Sequence, residues 1–250
     1  MPRNAPPSLS DQLAAAHDWW REAGVDHIFA DEASAWLEAR PEPGAQAVPA
    51  APEKAPERPA PPPPPALGGD PAGWPADLAQ FAKWWLADPG LAPGGADLRV
   101  PPRGPAGAKL MALVAEPERD DRERLLSGEH GKLLASFFAK AGVDESEVYF
   151  AAALPRHTPM ADWRELRQGG LDKVLLHHIA LVRPERLILF GQDVTALFGH
   201  NSAQNPDFLL DLNHHGGSVR ALAARSLDHM LRIPSARKRL WQDWLDWTDG

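Results

Sequence analysis

The strongest pattern of apolar and polar positions runs from Val148 to Gly199. It opens with a short, β-leaning apolar run from Val148 to Leu154 that stops at Pro155. Beyond a polar loop, Leu171, Val174, Leu175, Leu176, Ile179 and Val182 recur at helical spacings. Arg183-Pro184 should end that helix, because proline has no amide hydrogen and pushes the residue before it out of the helical region. Leu187 to Phe190 follows as a near-continuous apolar run, the pattern of a parallel strand buried on both faces. Gly191 then permits a tight turn into a helix starting near Asp193. Strand, helix and strand make a βαβ unit, and in such sheets ligands bind beyond the carboxyl ends of the strands. Those ends carry Pro155 to Met160 and Gly191-Gln192, so chemistry is expected there.

The flanking pattern extends the same architecture. Asp77 should cap a helix through Leu78, Phe81, Trp84, Trp85 and Leu86 that ends at Asp88-Pro89-Gly90. Lys109 to Val114 reads as the first core strand, with an acidic loop, Glu116 to Asp121, at its carboxyl end. A helix from about Gly131 to Lys140 turns Leu133, Leu134, Phe137 and Phe138 inward and stops at Gly142. After Phe198 the pattern weakens. Asn201 to Asp207 reads as loop, and Phe208 to Leu212 and Val219 to Ala224 as strands about a turn at His214 to Gly217. A last helix, Ser235 to Trp247, sets Leu240, Trp241, Trp244 and Leu245 on one face, with Arg237, Lys238 and Arg239 in its first half. Strands alternating with helices predict an α/β fold, a three-layer α/β/α domain over residues 74–250 with a central, mainly parallel sheet.

Ahead of that domain, Ser8 or Ser10 should cap a helix carrying Leu13, Ala16, Trp19 and Trp20, ended by Gly24. Asp31 should cap a second short helix through Ala35, Trp36 and Leu37. This hairpin, residues 1–40, is too small to be robust alone, so it docks either on the main domain or on a protein partner. Residues 41–73 are rich in proline and alanine and hold too few apolar side chains to fold. They read as a disordered, extended linker, with Pro61 to Pro65 in polyproline II.

Composition narrows the chemistry. The 250 residues include no cysteine, which excludes disulfides, zinc–thiolate sites and iron–sulfur clusters; no cofactor is expected. A net charge of −8 argues against a generally basic coat for nucleic acid, though not against a local basic face. No run is long and apolar enough to span a bilayer, and MPRNAPPSLSDQ lacks a signal-peptide core, so a cytoplasmic protein without a membrane partner is expected. His177-His178 within a helix, and His200, His214 and His215 in turns, read as packed or solvated side chains, and no metal site is expected.

Short segments, in order along the chain, resemble the uracil-DNA glycosylase superfamily, most closely its family-four branch. VAEPERDD stands where that family has an acidic glycine/proline loop, and SGEHGKLL where it has a GRAGxLL helix start. VYFAAALPRHTP corresponds to VYITNVxPxRPP, and HIALVRPERLILFG to QIxLxxPxxIVxLG. SLDHMLRIPSARKRLWQDW corresponds to HPAYLLRxPxxKxxxWxD. The resemblance covers roughly Asp77 to Trp247, and it implies a glycosylase-like fold, DNA binding and a place in base excision repair.

The functional positions depart from that family. Ala152 replaces the asparagine that reads a flipped base by hydrogen bonding, and Ser226 replaces the histidine that stabilises departing uracil as an anion. Glu116 and Pro117 lie in the pocket-forming loop, where the family's glycines are gone. Removing one donor from such a site costs about 3–4 kcal/mol, or ~10²–10³ in rate, so efficient uracil excision is not expected. Candidates for residual chemistry are Asp120 and Asp121, as a base acting on water, and His229, three positions beyond the lost histidine. Arg232, Arg237, Lys238 and Arg239 are the candidate contacts to a DNA backbone. A DNA-binding repair protein with weak or no uracil excision is the first expectation. A noncatalytic protein-interaction scaffold and an active glycosylase with rewired residues are the alternatives.

Overall fold

Three five-residue runs with almost no solvent-facing position build the centre of one sheet. They are β1 (Leu110–Val114), β2 (Val148–Ala152) and β3 (Arg186–Phe190). The computed structural model describes residues 8–22, 66–91, 98–200 and 208–248. β1 pairs in parallel with β2 on one side and β3 on the other, so Val114 lies beside both Ala152 and Phe190. β4 (Leu209–His214) and β5 (Gly217–Ala224) form a hairpin about His215-Gly216, and β5 pairs in parallel with β3. The sheet order is β2-β1-β3-β5-β4, with β4 the antiparallel edge. At the opposite edge Arg103 bridges Phe150 backbone to backbone, covering polar groups that an open strand would leave bare.

Because side chains alternate along a strand, the sheet has two apolar faces, and helices cover both. One face, with Ala112, Val114, Phe150 and Phe190, packs against α3 (Glu129–Ala141), α7 (Leu227–Arg232) and α8 (Pro234–Thr248). The other, with Met111, Leu113, Tyr149 and Leu189, packs against α5 (Leu171–Val182) and α6 (Gln192–Leu197). Outside α5 lies α2 (Leu78–Ala87), whose Phe81 and Trp85 cluster with Val174. Asp77 caps α2, its carboxylate accepting from the Gln80 amide at 2.8 Å. Gly142 closes α3 in the left-handed conformation (φ 69°). The result is an α/β fold with a mostly parallel five-stranded sheet flanked by helices.

Two expectations need correction, and one further helix stands beside them. The segment before α5 is not plain loop: α4 (Trp163–Gln168) is capped by Asp162, and Gly170 (φ 89°) separates it from α5. Residues 227–232 form α7, because Ser226 Oγ accepts from the His229 amide at 3.3 Å. The linker also ends before Gly73. The Leu67 amide donates to the Gly169 carbonyl at 2.8 Å, Trp74 Nε1 donates to the Gly68 carbonyl at 2.8 Å, and Asp70 caps a short turn at Pro71–Gly73.

Residues 1–60 form a separate unit from residues 61–250. Its described part is α1 (Leu9–Glu22), with Ser8 and Asp11 hydrogen bonded to each other at its start; all its side chains are exposed. The expected second helix near Asp31, most of the linker, and the 201–207 loop lie outside the described residues. Among the described residues no helix is long and apolar enough to cross a membrane.

Candidate functional site

The chain leaves β1 through α3 to reach β2, then crosses back over β1 to reach β3. The direction of winding reverses between β1 and β3, and such a reversal leaves a crevice beyond the carboxyl ends of the strands. A cavity of about 570 Å³ occupies this place. Val114 and Ala115 of the β1 end, Phe190 of the β3 end and Ser226 just past β5 form its floor, while Glu116 to Asp120, the start of α3, His157 and Asp228 form its walls.

Two carboxylates organise the walls rather than face a ligand. Asp121, 2 % exposed, accepts from the amides of Glu118, Leu126 and Ser127 at 2.8–2.9 Å and from Ser127 Oγ at 2.6 Å. This staple folds the loop and holds Leu126 at a positive φ of 59°. Glu118 caps α3, accepting from the Gly128 amide at 2.9 Å and the His130 amide at 3.0 Å, where negative charge suits the helix dipole.

Two histidine–carboxylate pairs remain. His157 Nδ1 lies 3.2 Å from the Pro117 carbonyl and 3.3 Å from Glu116 Oε1. Both partners are acceptors, so Nδ1 is the nitrogen that donates there and Nε2 is the one left to meet a ligand or water. Glu116 Oε2 also accepts from the Thr158 amide, fixing the carboxylate against the loop. Across the sequence, His130 Nε2 lies 3.2 Å from Asp228 Oδ1 and its Nδ1 lies 3.8 Å from Glu118 Oε1.

The candidate residues scatter accordingly. Glu116, Pro117, Asp120 and Ser226 line the cavity. Asp121 does not: it is consumed by the staple, so its candidacy as a base is withdrawn. His229 is exposed on α7 and absent from the lining. Ala152 is also absent, since β2 lies on the far side of β1 from the crevice and its methyl is buried in the core. His130 and His157 were missed. His157 sits in the PRHTP loop at the end of β2, where ligands were expected, but nothing local to that loop marks Glu116 as its partner.

Of the basic candidates, Arg237 donates to the Met230 and Leu231 carbonyls at 2.6 and 3.3 Å and so closes α7. Arg239 pairs with Asp243 at 2.7 Å. Arg232 is exposed and donates to the Asp228 carbonyl at 3.3 Å, and Lys238 is exposed without a partner among the described residues. Of these four candidates, Arg232 and Lys238 are thus the two most available to an outside anion. Among the described residues no group of three or more histidines and carboxylates could hold a metal ion.

No protein-family model matches the chain, and no curated protein matches it.

Proposed function

We propose that the protein is a divergent member of the uracil-DNA glycosylase superfamily. In this reading it binds DNA in a repair setting and admits an extrahelical base to the cavity between β1, β3 and β5, with little or no excision of uracil. The resembling segments supply the loop after β1, the start of α3, His157 in the loop after β2, the end of β3 and the start of α7 to the lining of one crevice. The observation that carries the reading is the cavity itself: it is open, at the strand ends, and rich in carboxylates. An open crevice suits a flipped base. A carboxylate wall opposes the negative charge that departing uracil acquires.

The test is to incubate the protein with single- and double-stranded oligonucleotides containing uracil, hypoxanthine or xanthine, measuring binding and abasic-site formation together. Salt-sensitive binding without uracil release supports the reading, and absence of binding at low salt overturns it. A second reading, an active glycosylase with rewired residues, is favoured by the His157–Glu116 and His130–Asp228 pairs in the cavity wall. A protein partner for the amino-terminal unit belongs to the same proposal, because Leu9, Leu13 and Trp20 are more than half exposed along one stripe of α1.

A further inference from the structure

We infer that the cavity selects a base carrying positive charge, an N-alkylated purine, and is suited to hydrolysing its glycosidic bond. The inference rests on the proposed reading of the cavity as a base pocket and names its substrate class. Five carboxylates, Glu116, Glu118, Asp120, Glu129 and Asp228, line the cavity against one arginine, Arg119. Glu118 is spent on capping α3, which leaves four around the opening. Such a wall repels an anion and attracts a cation.

Alkylation at N7 or N3 gives a purine a formal positive charge. When its glycosidic bond breaks, the bonding pair enters the charged ring and the base leaves neutral. No anion develops on the leaving group, so the missing histidine and asparagine are not needed. Positive charge develops instead on the sugar at C1′, where nearby carboxylates stabilise it.

The remaining requirement is a base for water, and His157 has the right form. Its Nδ1 proton is held by Glu116 and the Pro117 carbonyl, so Nε2 can accept. The water oxygen bonds to C1′ as C1′–N9 breaks, the water proton passes to His157 Nε2, and Glu116 stabilises the imidazolium formed. The products are an abasic site and a neutral alkylpurine, with water as the only co-reactant.

The experiment uses the full chain with oligonucleotides bearing one N7-methylguanine, one uracil or neither, in single and double strands. Free base released is measured by mass spectrometry against protein-free samples, and binding by fluorescence anisotropy. The inference expects binding at least ~10-fold tighter to methylated than to unmodified strands, methylguanine release at least ~10-fold above the spontaneous rate, and no uracil release. Each of His157→Gln and Glu116→Gln should bring the release back to near the spontaneous rate, with thermal melts checking that the variants fold. Should His157→Gln unfold, Glu116→Gln and Asp228→Asn still test the charge argument, by lost preference for methylated strands. Binding to DNA with neither preference nor release overturns this inference while leaving the DNA-binding reading intact. Uracil release in place of methylguanine release overturns the charge argument. Absence of binding to every oligonucleotide overturns both.

Discussion

His178 is a side chain whose chemistry burial changes strongly. It is 1 % exposed, stacks on Phe81 with ring centres 4.1 Å apart, and has Nε2 2.9 Å from the Tyr149 hydroxyl. Burial, helped by neighbouring His177, lowers its pKa to about 3 from an ordinary 6.5; burial also pushes the Tyr149 hydroxyl up. Between those two values the unfolded chain binds a proton that the folded chain does not. Stability from this group is therefore complete above pH 6.5 and falls as the pH drops below it, by about 1.4 kcal/mol per unit while the folded ring stays neutral. Urea melts at pH 7, 6, 5 and 4 should show the decline. The double variant Tyr149→Phe/His178→Leu, which removes both partners together, should be less sensitive to acid over this range. Asp121 yields a second expectation at this scale. Asp121→Ala strands three amides and a hydroxyl, so denaturant melts should show a loss of about 3 kcal/mol. The fate of Asp121 was not legible in the sequence, because a buried acceptor and a solvated general base are the same residue until the amides around it are placed.

At the scale of elements, local signals located most of the structure. β1, β2 and β3 were evident from apolar runs bounded by proline and glycine, and α2, α3, α5 and α8 from helical spacing and caps. α4 and α7 were harder to see, since six residues hold too few apolar positions to establish a period. The start of α3 depends on a close approach. A Cβ on Gly131 would lie 1.9 Å from the Leu126 carbonyl oxygen, so Gly131→Ala must displace either the helix or the Asp121 loop. Its cost should be about 3 kcal/mol in a thermal or urea melt, despite alanine's better helix propensity. Gly191, at φ 113° between β3 and α6, is a further position where the backbone favours glycine. The basic residues near α7 and α8 separate by their contacts. Arg237→Ala should lower the melting temperature, because it uncaps two carbonyls, whereas Lys238→Ala should leave it unchanged.

For the whole molecule, charge distribution governs the expected encounter with DNA. Against a net charge of −8 and a carboxylate-lined crevice, Arg232 and Lys238 are the candidate cations on α7 and α8 most available to phosphate. With about two phosphates neutralised there, the slope of log affinity against log salt should be near −2 on duplex DNA. Arg232→Ala and Lys238→Ala should each make that slope shallower by about one unit in anisotropy titrations. The sequence by itself determined the strands, the principal helices and the sheet edge where a site would lie. Those features follow from side-chain period and from the backbone limits of proline and glycine, which act over a few neighbouring residues. Tertiary structure alone decided the composition of the site. It put His130 against Asp228, 98 positions away, set Glu116 beside His157, buried Asp121 in its own loop and left Ala152 on the wrong side of β1. These outcomes depend on strand order and loop closure, which bring together residues whose separation in the chain carries no trace of their contact.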